Sequence, residues 1–236
     1  MMIKGVVSFS LADWDGKISY VIFLPNCNFR CPFCHNGILV LHPEKRETIY
    51  FERVRDYLKK QRDWIDGVCI TGGEPTLHSD LPNLCSELKG MGFLIKVDTN
   101  GTNPVMIKEL IEKGLIDYVA LDIKAPLTSE KYSKAVGVNA ENLLKKVKKT
   151  VEILMGAKID YEFRTTVVPT IHEKKDIEDI CQKIKGCKKY VLQKFDVSLG
   201  KETLDSEFKK LKPFTSQEMN TFLEIAQRYI PNARLR

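Results

Sequence analysis

The chain has 236 residues, 43% of them hydrophobic, which is enough for a sizeable buried core and within the length of an α/β barrel folding as one unit. No apolar run reaches the roughly 20 residues needed to cross a bilayer, and Met1-Met2-Ile3-Lys4-Gly5 opens neither an apolar segment nor a cleavage site. The expectation is a cytoplasmic protein with no membrane role. Lys and Arg outnumber Asp and Glu by 37 to 31, largely through runs such as Lys145-Lys146-Val147-Lys148-Lys149. That run lacks interleaved aromatics and reads as a solvated helix face rather than a nucleic-acid stripe, although the basic balance suits an acidic partner or RNA.

Along the chain, strand-like runs alternate with helix-like ones, the pattern that builds parallel sheets through right-handed crossovers. Tyr20 to Leu24 reads as the first strand, followed by a cysteine-bearing loop and a polar helix from Thr48 to Gln61. Gly67 to Thr71 is the second strand, Asp80 to Gly90 a helix and Phe93 to Thr99 the third strand. Pro104 to Lys113 is helical, Asp117 to Ile123 is the fourth strand, and helical segments run from Ser129 to Met155. Tyr161 to Val168 gives a fifth strand, Lys174 to Lys185 a helix and Tyr190 to Phe195 a sixth strand. A last helix from Ser216 to Tyr229 is placed as a lid or edge element. No repeat, low-complexity tract or linker divides the chain, so a single domain over 1–236 is expected.

Cys27, Cys31 and Cys34 lie on the loop after the first strand, with three and then two residues between them. A cubane iron–sulfur cluster takes four thiolates when it only carries electrons, so three within one loop point to a cluster with one iron left open. Cys69, Cys85, a substrate or a cofactor stands as candidate for the fourth position. Thiolates also select zinc or copper(I), and a Cys3His zinc site with His35 is the competitor. However, His35 directly follows Cys34, and adjacent residues do not easily reach one tetrahedral ion. Seven cysteines, an odd number with three clustered, suit a reducing compartment better than a disulfide framework. Cys181 and Cys187, with five residues between them on a helical pattern, read as core residues.

The segment Cys27-Asn28-Phe29-Arg30-Cys31-Pro32-Phe33-Cys34-His35-Asn36 resembles the signature of the radical SAM superfamily. Within it the chain is similar to the activating enzymes of glycyl-radical proteins, most of all to the activator of anaerobic ribonucleoside-triphosphate reductase, from about Tyr20 to Phe195. The resemblance implies an α/β fold, a partial (β/α)6 TIM-like barrel. It implies a 4Fe–4S cluster on Cys27, Cys31 and Cys34 whose open iron chelates S-adenosylmethionine. One-electron cleavage then gives a 5′-deoxyadenosyl radical that abstracts hydrogen. The implied partners are a glycyl-radical enzyme of the anaerobic ribonucleotide reductase kind and a flavodoxin or ferredoxin as electron donor. Because the hard chemistry belongs to the cofactor, the protein's part is to position, desolvate and restrain.

In barrels, chemistry collects at the C-terminal ends of strands. Thr71-Gly72-Gly73-Glu74-Pro75 ends the second strand, where two glycines allow close backbone approach, and it matches the family's GGE motif. The match implies that Glu74 and the backbone of Gly72 and Gly73 hold the methionyl ammonium, a charge-assisted contact. Asp98-Thr99-Asn100-Gly101 and Asp122-Ile123-Lys124 end the third and fourth strands, where the activators carry similar segments. They imply Asp98 and Asn100 on the ribose or a monovalent-cation site, and Lys124, beside Asp122, on the methionyl carboxylate. Arg164 matches the family's arginine on the fifth strand, an always-charged planar donor suited to a carboxylate, and Phe33 the aromatic that stacks near adenine. On the sixth strand, Val191-Leu192-Gln193-Lys194-Phe195 departs from the Leu-Leu-Pro-Tyr-His stretch of pyruvate formate-lyase activators, and Gln193 brings it closer to the reductase activators. A ferredoxin-like insert after Cys34 is absent from the sequence. The second function class is a radical SAM enzyme acting on a small molecule or RNA base; a zinc-binding interaction module is a non-enzymatic third.

Overall fold

Val21, Ile22 and Leu24 are fully buried, as are Val68, Cys69 and Ile70 on the next strand. Such continuous apolar runs mark strands covered on both faces, the condition under which parallel sheets form. In the computed structural model, residues 1–198 and 202–236 are described, and they group into two compact units. No helix among the described residues is long and apolar enough to cross a membrane.

The first unit comprises Met1–Asn28, Ile38–Thr99 and Val105–Val119. Its strands β1 (Gly5–Ser10), β2 (Ser19–Leu24), β3 (Gly67–Gly72) and β4 (Leu94–Thr99) lie side by side in that order. β1 is antiparallel to β2, while β2, β3 and β4 are parallel. Parallel neighbours require crossovers, supplied by α1 (Gly37–Leu41) with α2 (Phe51–Lys60), and by α3 (Leu81–Gly90). α4 (Pro104–Glu112) follows β4. The register pairs Leu24 with Gly72 and Ile70 with Val97, so the loops leaving β2, β3 and β4 emerge at one edge.

The second unit comprises Phe29–Gly37, Asn100–Pro104 and Ala120–Arg236. It contains most of β5 (Tyr118–Asp122), then α5 (Ser129–Val136), α6 (Glu141–Met155), β6 (Asp160–Val167), α7 (Lys174–Lys183), β7 (Tyr190–Lys194), α8 (Ser206–Lys209), α9 (Ser216–Gln227) and β8 (Ala233–Leu235). β6, β7 and β8 are parallel, with Arg164 opposite Val191 and Thr166 opposite Gln193. α9 packs on α7, β7 and β8 as an edge element, and Tyr229 beyond it donates to Glu178 at 2.7 Å.

This is the expected α/β class: the six anticipated strands are β2 to β7, each within two residues of its expected bounds. β1 and β8 are additional strands, β1 paired antiparallel with β2 and β8 parallel with β7. The helical stretch after Ser129 divides at Gly137, which adopts the left-handed conformation (φ 67°) that ends helices without a Cβ penalty.

Candidate functional site

In the first unit, the chain turns out of β2 at Asn26, whose φ of 63° is in the left-handed region that Asn tolerates better than most residues. Three backbone bonds fix this root of the cysteine loop. Asn26 N–H donates to Leu39 O at 2.9 Å, Glu74 N–H to Asn26 O at 2.7 Å, and Gly73 N–H to Leu24 O at 2.8 Å. A Cβ on Gly73 would stand 1.9 Å from the Asn26 carbonyl oxygen, and one on Gly72 would stand 2.4 Å from that of Leu24. The Gly-Gly pair is thus required by the approach of the chain just before Cys27.

Glu74 is fully buried. Its Oε1 accepts from Thr76 N–H at 3.0 Å, Thr76 Oγ1 at 2.6 Å and Thr99 Oγ1 at 2.7 Å. The carboxylate therefore ties the end of β3 to the end of β4. Asp98 is buried with Lys96 2.9 Å away, and the Lys96 ammonium also donates to the Asp13 carbonyl. Cys69 and Cys85 are buried in β3 and α3. Burial pushes the Cys85 thiol up to about 12, the behaviour of an inert core thiol.

In the second unit, the segment carrying Cys31 and Cys34 is held from three directions. Arg30 N–H donates to Val136 O at 2.8 Å, at the end of α5. A Cβ on Gly137 would come within 2.2 Å of the Arg30 carbonyl oxygen, so here too a glycine seats the residue preceding a cysteine. Cys34 N–H donates to Cys31 O at 3.0 Å, closing a tight turn. Leu204 N–H reaches Cys34 O and Asp205 N–H reaches Pro32 O, both at 2.9 Å. Phe33 is buried within this turn. The His35 ring stacks on Phe195 at 5.8 Å, and its Nδ1 lies 3.0 Å from the Glu202 carbonyl oxygen.

Beside this loop stands a charged triad. Arg164 Nε donates to Asp122 Oδ1 at 2.8 Å and Lys124 Nζ to Asp122 Oδ2 at 3.0 Å. Burial works against ionising Asp122, but Arg164 and Lys124 overcome it and hold the carboxyl well below its usual range. Burial likewise works against the Lys124 ammonium. Asp122 and the sulfurs of Cys31 and Cys34 outweigh it and raise Lys124 above its ordinary value. Burial pushes the Cys34 thiol up, opposed by the Asn36 amide and the Lys124 ammonium. Asn100 Oδ1 accepts from Thr102 N–H at 3.0 Å and Thr102 Oγ1 at 2.7 Å, an Asx turn, and Gln193 is half-buried on β7.

His172 was not singled out from sequence, because a lone histidine carries no spacing signal. It is 2% exposed, its Nδ1 accepts from Val168 N–H at 3.0 Å, and Nε2 donates to Lys124 O at 2.9 Å. That pair of bonds fixes the neutral Nε2–H tautomer, and burial lowers the imidazole to about 4. His172 is therefore a neutral strut for the backbone that carries Lys124.

The residues present fit a cluster held by thiolates. None of the three loop cysteines is in a disulfide, a cation sits by two of them, and glycine cradles seat the residues before Cys27 and Cys31. Among the described residues no three His, Cys, Asp or Glu side chains are placed to share one metal ion; a cubane takes each thiolate on a different iron.

Comparison with known proteins agrees with this chemistry. Residues 21–184 match the model of the Radical SAM superfamily. A Methanocaldococcus jannaschii protein named "Putative glycyl-radical enzyme activating enzyme MJ1227" is 37% identical over 238 residues, covering 100% of this chain and 95% of that one. A "Probable GTP 3',8-cyclase" of Pyrococcus horikoshii is 25% identical over 219 residues, covering 88% of this chain and 66% of that one. Among solved structures, Streptococcus suis SuiB bound to precursor peptide SuiA superposes with a TM-score of 0.68 at 18% identity, over 98% of this chain and 50% of that one. The matched span, the full-length relative and the shared fold establish that the chain belongs to the radical SAM superfamily.

Proposed function

We propose that this chain is a radical SAM activase that installs a glycyl radical on a partner enzyme of the anaerobic ribonucleotide reductase kind, acting in the cytoplasm as a single domain over 1–236. Cys27, Cys31 and Cys34 would hold a 4Fe–4S cluster. When bound, the cluster supplies one electron to the sulfonium of S-adenosylmethionine, yielding methionine and the 5′-deoxyadenosyl radical that takes hydrogen from the target glycine. The observation that carries the reading is Lys124, an ammonium held by Asp122 beside Cys31 and Cys34.

The roles of the chain's own residues follow from their chemistry. Lys124 offers its charge to the methionyl carboxylate, Asp122 and Arg164 fix its direction, and His172 fixes its backbone. The Gly72-Gly73 backbone, braced by Glu74, takes the methionyl ammonium, Phe33 faces adenine, and Asn100 and Gln193 face the nucleoside. Lys96 already supplies positive charge to Asp98, which favours a ribose contact there over a monovalent cation. The electron comes from a flavodoxin or ferredoxin. The full-length similarity to a protein named as a glycyl-radical enzyme activator supports the target class. The similarity to a GTP cyclase favours, as the second reading, a radical SAM enzyme acting on a small molecule or RNA base.

The test is anaerobic: reconstitute with iron and sulfide, add dithionite and S-adenosylmethionine, and quantify 5′-deoxyadenosine for the wild type and Cys31→Ala. Product from the wild type alone is expected, followed by a glycyl-radical signal in electron paramagnetic resonance when the partner is added. Consumption of GTP with no radical on any glycyl-radical partner would favour the second reading. A fully loaded wild type that makes no 5′-deoxyadenosine under any condition would overturn both.

A further inference from the structure

Two tyrosines of the second unit are fully buried, Tyr132 on α5 and Tyr190 on β7. The Tyr190 hydroxyl donates to Thr165 Oγ1 at 2.8 Å, and the Thr165 hydroxyl in turn donates to Ile123 O. Among the described residues the Tyr132 hydroxyl has no hydrogen-bond partner. A buried hydroxyl left unpaired costs on the order of 1–3 kcal/mol, while phenylalanine would fill the same space without that cost. Native folds satisfy buried polar groups, and an exception points to a group that arrives later or to a redox role.

The surroundings of Tyr132 identify that group. Its ring packs edge-on against Phe29 at 6.3 Å, two residues before Cys31. The end of its own helix takes the Arg30 N–H at Val136. The groups that act on the hydroxyl electrostatically are the backbone and ammonium of Lys124, the Cys31 sulfur and the Asp122 carboxylate. The Lys124 amide does so without hydrogen-bond geometry. Asp122 is already engaged, one oxygen by Arg164 and the other by Lys124. Burial raises the phenol well above its ordinary value, so it remains a neutral O–H donor. The other group that acts on the hydroxyl, and that becomes an anion when it ligates metal, is the Cys31 sulfur.

We infer that Tyr132 is a positioning residue for the cluster, donating its hydroxyl hydrogen to the Cys31 thiolate once that sulfur ligates iron. The inference rests on the cysteine loop holding a cluster. Hydrogen bonds to ligating sulfurs stabilise the reduced, more negative cluster and so raise its potential. Tyr132 would make the open-iron centre easier to reduce.

The experiment compares wild type, Tyr132→Phe and Tyr190→Phe. Without cluster, Tyr132→Phe should unfold in urea at the wild-type midpoint or later, because the lost hydroxyl has no partner there, while Tyr190→Phe should unfold earlier. With cluster reconstituted, a redox titration followed by electron paramagnetic resonance should show about a tenfold loss in the ratio of reduced to oxidised cluster for Tyr132→Phe at a fixed potential. For a one-electron couple this is a midpoint about 59 mV more negative. Tyr190→Phe should keep the wild-type midpoint. Equal midpoints for wild type and Tyr132→Phe, or an apo Tyr132→Phe less stable than wild type, would overturn the inference alone. A wild type that binds no iron and sulfide would overturn the reading of the cysteine loop together with it.

Discussion

Glu74 and Asp122 are both carboxylates at the C-terminal ends of strands, β3 and β5, yet their surroundings differ in kind. Glu74 is fully buried, and its Oε1 is met by uncharged donors, a backbone amide and two threonine hydroxyls. Asp122 keeps some contact with water and is met by a guanidinium and an ammonium. A carboxylate oxygen met by neutral donors ties two strand ends together. A carboxylate held between two cations assembles a charged group whose outer member, Lys124, still faces thiols. The family resemblance implies a cofactor role for both residues; within the fold itself one braces two strand ends and the other belongs to a charged group.

Removing Asp122 from the charged group should have the larger effect. Asp122→Ala leaves Arg164 and Lys124 without their shared anion, and breaking a buried ion pair costs about 3–5 kcal/mol. Partial exposure of Asp122 puts this site at the lower end, roughly 3 kcal/mol. Urea unfolding of the cluster-free protein measures it. Because Lys124 loses its direction, iron retained after reconstitution should fall as well. Undiminished iron and S-adenosylmethionine binding in Asp122→Ala would reduce the triad to a second brace.

The strut behind Lys124 gives a pH signature. His172 titrates near 4 when folded and near 6.5 when unfolded, so below the unfolded value the unfolded chain binds the extra proton and stability falls with pH. Burial is the main cause. Asp176 opposes it, and Lys131, itself paired with Asp176, acts with it. Between pH 7.5 and pH 5 the loss is about 2 kcal/mol, and it should end near pH 4. His172→Gln should flatten that slope. A wild type whose urea midpoint is level over this interval would mean that the imidazole is protonated in the fold.

Much of this site was legible because its signals are local. The cysteine spacing, Gly72-Gly73-Glu74, Asp98 and Asp122-Ile123-Lys124 each sit at or near the end of an apolar strand, and Arg164 lies within one. What escaped depends on pairing over distance. β1 carries an exposed Phe9 and polar serines, and β8 has only three residues, so each is a strand by virtue of its neighbour. Glu74 meets Thr99 across 25 positions. A second demand on the GGE glycines also comes from a distant residue, since the nearest obstacle to a side chain on Gly73 is the Asn26 carbonyl. His172 and Tyr132 are single residues, and only their hydrogen bonds, or the lack of one, set them apart.

The smallest effect tests the brace itself. Thr99→Val removes one of the donors to Glu74 Oε1 while the two from Thr76 remain, so the expected cost is about 1 kcal/mol, the size of one hydrogen bond. If Glu74 serves the fold, this loss appears in urea unfolding, while S-adenosylmethionine binds the reconstituted protein as tightly as before. The carboxylate stays in place because Thr76, two residues on, still holds it. If Glu74 instead turns toward the methionyl ammonium when the cofactor binds, Thr99 competes with that ammonium for the same oxygen. The valine variant would then bind the cofactor more tightly than wild type. Tighter binding with unchanged stability would therefore move Glu74 to the side of Asp122 and erase the contrast between the two strand ends.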